Sequence, residues 1–169
     1  MTALRTVGSR TKKATAQSPG TPAGQRAWVG VVSLAHVQRG GAGGFAQLCH
    51  GKSTPLARMG TGDWLVYYSP STDFRGGERL RAFTAIGRVI GDDIYSFDMG
   101  GGFLPDRRDI AYCPGARQVP VASLADRLCF IRENPHWGML ARRGHFEIGL
   151  DDLRVIAQAM EVAEAVSAR

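Results

Sequence analysis

The stretch Gly62-Asp63-Trp64-Leu65-Val66-Tyr67-Tyr68-Ser69-Pro70 constrains the fold of this chain more than any other. A Gly-Asp turn leads into a run of aromatic and β-branched residues, and Ser-Pro stops it, which predicts one central strand. Alternation along a strand puts Leu65, Tyr67 and Ser69 on one face and Trp64, Val66 and Tyr68 on the other. Each face therefore carries a large ring with a polar tip. Two adjacent tyrosine hydroxyls need partners, which either a packed core or a ring-lined ligand pocket supplies.

At 169 residues, 44% apolar and 21% charged, the chain has the length and composition of one soluble globular domain. Such a domain removes roughly two thirds of its surface from water without help from disulfides or metal. Cys49, Cys113 and Cys129 are odd in number and lack Cys-x-x-Cys spacing, so buried free thiols in a reducing cytoplasm are expected. No apolar run approaches the ~20 residues of a membrane helix and no signal-peptide core stands at the start, so no membrane partner is expected. Cys49-His50 has no matching ligands at metal-site spacing, and no cofactor is implied.

The net charge of +6 comes mostly from one end. Residues 1–26 hold Arg5, Arg10, Lys12, Lys13 and Arg26 and no acid, leaving 16 of the 21 basic residues against 15 acids in the remainder. Overall charge thus gives no argument for a nucleic-acid-binding domain, which must rest on a local patch. The same 26 residues are rich in Ser, Thr, Ala, Gly and Pro, which predicts a disordered basic tail before a domain spanning 27–166.

Within the domain, Trp28 to Ala35 reads as a strand buried on both sides, with Ser33 near its exit. Gly40-Gly41-Ala42-Gly43-Gly44-Phe45-Ala46 fits dinucleotide-loop spacing, but it stands apart from its strand, and a loop passing close to a pocket is the better reading. Thr54 to Met59 predicts one helical turn with Pro55 at its first position. Arg81–Ile90 and Ile94–Met99 around Gly91-Asp92-Asp93 predict an antiparallel hairpin, followed by a strand ending in Ile110-Ala111-Tyr112. Arg107 and Arg108 alternate there, one reaching inward towards an anion or a base edge. Ser123 to Asp126 reads as a capping box that opens a helix through Ile131, His136 to Leu140 as a short aromatic segment, and Asp151 or Asp152 as the start of the last helix.

Five motifs in order resemble the EVE domain, a member of the PUA-like superfamily similar in fold to the YTH readers of methylated RNA. They are Trp28-Val29-Gly30-Val31-Val32, Gly44-Phe45-Ala46-Gln47, the central strand, Leu128-Cys129-Phe130-Ile131, and Trp137-Gly138-Met139-Leu140 before Phe146-Glu147-Ile148. The resemblance implies an α+β fold: a mixed curved sheet closed into a small pseudo-barrel, surrounding helices, and a pocket at one end. It also implies a partner, nucleic acid carrying a modified or flipped base, chiefly modified cytosine in DNA or a base in RNA. The implied ligand-binding residues are Phe45, Gln47, Tyr67, Tyr68, Ser69 and Trp137, with Ser33 and Arg108 beside them. Ser33-Leu34-Ala35 stands where many members have Ser-Glu-Pro, which leaves the class of ligand open.

In the base-binding reading, the rings of Phe45, Tyr68 and Trp137 converge on one slot, because stacking on a flat base is worth about 1–3 kcal/mol and reading a modification requires the base out of its stack. An alternative is a small-molecule-sensing or protein-interaction domain using the same pocket. An enzyme would draw on His36, His50, His136, His145 or the Cys49-His50 pair, but no orienting third group is visible and no catalytic residue is assigned.

Overall fold

The computed structural model describes residues 10–12 and 25–167. Its centre is an open mixed sheet. β2 (Ala27–Val31) and β4 (Trp64–Ser71) run parallel side by side, and β5 (Arg79–Phe97) pairs antiparallel with β4. β6 (Asp106–Tyr112) follows β5, and the two-residue β3 (Phe45–Ala46) lies beyond it. At the other edge β8 (His145–Ile148) adds to β2, giving the order β3-β6-β5-β4-β2-β8. Two short strands, β1 (Arg10–Lys12) and β7 (Val119–Pro120), pair with opposite ends of β5. The Trp64 strand is central, as its composition predicts.

The expected pseudo-barrel is not formed. β3 and β8 are the two ends of the strand path and do not pair with each other among the described residues, so the sheet stays open. Physically, β2 spends its second edge on β8, and the two remaining faces are each covered by helices. On one face, Trp28, Leu65 and Tyr67 pack with Val37 of α1 (Leu34–Gly43), Leu56 of α2 (Ser53–Arg58), Leu48 and Met59. On the other, Val29, Trp64, Val66 and Tyr68 meet Leu124, Leu128 and the apolar stripe Leu153, Ile156, Ala157 and Met160. That stripe belongs to α5 (Leu150–Ala159) and the residue closing it. α3 (Cys129–Arg132), α4 (Trp137–Arg142) and α6 (Ala163–Ser167) complete this layer.

Several local expectations are corrected. The strand expected over Trp28 to Ala35 is β2, which runs Ala27–Val31, and the glycine-rich segment is the last turn of α1 rather than a loop. Gly40 is needed there: a Cβ would stand 2.8 Å from the Phe45 carbonyl oxygen, so tertiary contact overrides weak helix propensity. Gly44 then closes the helix in the left-handed conformation at φ 67°, its N–H donating to the Gly40 carbonyl. The hairpin is one continuous strand, because the segment around Gly91 is absorbed as a register shift between Val89 and Ile94. Arg108 Nε and the Thr61 hydroxyl both donate to the Gly91 carbonyl, fixing it in an irregular ladder instead of a tight turn. The capping-box segment is a 3-10 turn, Val121–Ser123, with the α-helix delayed to Cys129; the Asp152 carboxylate receives the Cys129 and Phe130 N–H groups and so supplies the missing cap. His136 to Leu140 is helical in α4.

Arg10–Lys12 pairs in register with Tyr95–Phe97, so part of the segment expected to be disordered is a strand; the rest of that segment up to residue 24 lies outside the described residues. The three cysteines are free as expected, but none is buried and Cys129 is exposed. No helix among the described residues is long and apolar enough to cross a membrane.

Candidate functional site

Because β2 and β4 are parallel, their C-terminal ends reach the same rim of the sheet, and α4 packs over that rim through Trp137. The result is a cleft of about 820 Å³. Its floor is apolar: Val31 from β2, Val121 from the 3-10 turn and Ile131 from α3. Tyr68 and Trp137 form its aromatic wall, ring centroids 5.6 Å apart and planes 69° from parallel. Trp137 is steadied from behind by Phe130, edge-on at 5.9 Å, and stays half-exposed. Burial pushes the Tyr68 hydroxyl pKa up, with the nearby Arg81 and Arg79 guanidinium groups opposing the shift.

The charged lining has one sign. Arg81 and Arg142 line the cleft with the His136 imidazole, all exposed, and no carboxylate joins them among the described residues. The physical consequence is a concave apolar surface with a cationic rim, suited to a flat ligand that carries negative charge.

The residues expected at the site divide. Tyr68 and Trp137 come together in the cleft. Phe45 does not converge with them: it lies on β3 at the far edge, separated from β4 by β6 and β5. There its ring meets the Arg107 guanidinium at 3.8 Å, with Phe97 at 3.9 Å from the same group. Gln47 belongs to this second cluster, its Oε1 accepting from Arg107 Nε at 3.0 Å and its backbone carbonyl lying 2.9 Å from His36 Nε2. Burial lowers the His36 pKa despite that carbonyl, and Arg39 and Arg107 lower it further.

Tyr67 and Ser69 are interior. Tyr67 stacks on Tyr112 with centroids 6.2 Å apart, and burial raises its hydroxyl pKa to about 12. Ser69, fully buried, shares a 2.8 Å hydrogen bond with Thr84. Ser33 caps α1 through its backbone carbonyl, which accepts from His36 and Val37. Arg108 reaches inward, but to carbonyls rather than an anion: Nη1 donates to Leu56 and Met59 and Nε to Gly91. It is the arginine that ties α2 to the sheet.

The Cys49-His50 pair shows no nucleophilic activation. Burial raises the Cys49 thiol pKa, and Sγ lies 3.7 Å from the Arg143 carbonyl. Among the described residues no group of three or more His, Cys, Asp or Glu side chains could hold a metal ion.

Sequence reasoning did not place Arg81 or Arg142 at the site, and it read His136 as a candidate base of an enzyme rather than as part of this lining. Arg142 lies on α4, which the short aromatic segment His136 to Leu140 did not announce as a helix. No signal marked Arg81, whose placement depends on a bulge.

The EVE domain profile matches residues 26–159. A Bacillus subtilis (strain 168) protein, UPF0310 protein YdcG, is 52% identical over 135 residues, covering 80% of this chain and 92% of the relative. UPF0310 protein msl3206 of Mesorhizobium japonicum is 46% identical over 135 residues, covering 79% and 90%. A UPF0310 protein of Streptococcus sanguinis is 42% identical over 140 residues, covering 81% and 94%. With the profile spanning nearly the whole described domain and relatives this similar along almost their full length, the chain belongs to the EVE family.

Proposed function

We propose that this protein is a non-catalytic module that binds nucleic acid by taking one unstacked base, carrying a modification, into the cleft between the end of β4 and α4. The observation that carries the reading is the Tyr68–Trp137 pair lining an open cavity whose charged groups, among the described residues, are those of Arg81 and Arg142. An exposed indole face stacks on any base, at about 1–3 kcal/mol. The cleft volume of about 820 Å³ has room for a base, its sugar and a ring substituent. The arginines at the rim suit phosphate, which base-stacking alone leaves unneutralised. Modified cytosine in DNA, or a modified base in RNA, is the ligand proposed.

The test is a fluorescence-anisotropy titration of the full chain against matched single-stranded oligonucleotides that differ only in one cytosine substituent. Wild type is expected to prefer a modified oligonucleotide, and Trp137→Ala to weaken binding by about 5- to 100-fold. Equal binding by wild type and Trp137→Ala overturns the cleft assignment. A metabolite copurifying with the wild type, and displaced from the cleft by no oligonucleotide, favours a small-molecule-sensing role instead.

A further inference from the structure

We infer that Arg81 grips the backbone phosphate next to the inserted base and so sets how nucleic acid lies on the cleft; this rests on the base-binding reading above. Arg81 occupies the left-handed backbone region at φ 52°, which glycine enters freely and other residues only at a cost. It does so in a bulge. Ser69 pairs with Ala82 and Ser71 with Arg79, so two residues of β5, Leu80 and Arg81, face the single Pro70 of β4. An extra residue in the left-handed region is where glycine is the default, and such bulges re-aim a side chain.

Here the re-aimed side chain lines the cleft beside Tyr68. It is exposed and makes no hydrogen bond or ion pair with another described residue, so the fold gains nothing visible from a guanidinium at this place. Its electrostatic influence falls on the Tyr68 ring, the wall of the cleft. Arg142, from α4, lines the same cavity, so the two cations come from separate elements around one opening. A strained backbone that presents an unpaired cation to an aromatic cleft is the arrangement expected when binding, not stability, fixes the residue. The planar fork of arginine matches two phosphate oxygens at once.

The proposal is tested on the full chain with Arg81→Gly, which relaxes the backbone and removes the guanidinium, and Arg81→Lys, which keeps the charge. Each is titrated with the oligonucleotide that wild type binds best, over salt from about 50 to 300 mM. Arg81→Gly is expected to bind about tenfold more weakly, equally for modified and unmodified oligonucleotides, with the salt slope reduced by about one. Its melting temperature is expected to equal or exceed that of wild type. Arg81→Lys is expected to keep the salt slope and fall between the two in affinity. Arg81→Gly binding like wild type overturns the inference but leaves the base-binding reading intact, provided Trp137→Ala still binds weakly. A clear drop in the melting temperature of Arg81→Gly marks the residue as structural and also overturns it. Wild type binding no oligonucleotide overturns both.

Discussion

The Asp63 carboxylate accepts the indole N–H of Trp28 at 2.9 Å, across the parallel pair β2 and β4. The same carboxylate accepts the backbone N–H of Gly60 at 2.8 Å and of Arg26 at 3.1 Å, and it is 3% exposed. Asp63 therefore ties the entry of the domain to the turn that launches its central strand. Removing it leaves three donors without a partner in a buried setting, so Asp63→Ala is expected to lower stability by about 2–4 kcal/mol. Urea unfolding followed by tryptophan fluorescence measures this, and a loss near zero would remove Asp63 from its organising role.

Arg108 holds the fold rather than lining the cleft. With 1% exposure and the Leu56, Met59 and Gly91 carbonyls as acceptors, its loss takes a donor from each of three carbonyls, of which Leu56 keeps the Met59 N–H and Gly91 the Thr61 hydroxyl. Arg108→Met is expected to cost about 3 kcal/mol. Oligonucleotide affinity, measured where the variant is still folded, is expected to match that of wild type. Weakened affinity in a stably folded Arg108→Met would return this residue to the ligand.

His145 makes stability depend on pH. Its ring stacks on Trp28 at 4.8 Å, both nitrogens are buried without a hydrogen-bond partner among the described residues, and burial, helped by Arg58, lowers its pKa to about 4. Below the ordinary value of 6.5 the unfolded chain takes up a proton that the folded chain refuses. Stability is therefore complete above about pH 6.5 and falls as the pH drops towards 4, by on the order of 3 kcal/mol. Denaturation midpoints across that window in wild type and His145→Gln check it: the variant should lose part of the acid sensitivity. His36, also lowered, leaves a residual slope of the same sign.

The stacked tyrosines differ in what their hydroxyls do. Tyr112 donates to the Phe45 carbonyl at 2.9 Å, whereas the Tyr67 hydroxyl faces Tyr112 and the Gln47 backbone without meeting either in good hydrogen-bond geometry. Tyr112→Phe is expected to cost about 1 kcal/mol, and Tyr67→Phe to be neutral or slightly stabilising. Thermal melts of both variants decide this; a larger loss for Tyr67→Phe would mean that its hydroxyl is satisfied after all.

What the sequence made legible follows from where its information is local. Aromatic and β-branched density announced the strand at Trp64, and the spacing of Leu153, Ile156, Ala157 and Met160 announced the last helix, because both patterns reflect burial on one side. Gly40 to Gly44 misled, since their place in α1 depends on the approach of the Phe45 carbonyl from another element. Gly91-Asp92-Asp93 misled for a similar reason: Arg108, distant in the chain, holds the Gly91 carbonyl. Two of the three rings expected to converge, Tyr68 and Trp137, line one cleft. Phe45 was misassigned because nothing local reveals that β6 and β5 stand between it and β4, or that Arg107 occupies the space against its face.

The cleft draws its floor from the sheet and the segments after it, but Trp137, His136 and Arg142 all come from one short surface stretch around α4. Substitutions confined to that stretch would alter ring, rim charge and opening together while leaving the β2–β4–β5 ladder untouched. A chain of this plan is thus free to vary the shape and charge of its cleft without renegotiating how it folds.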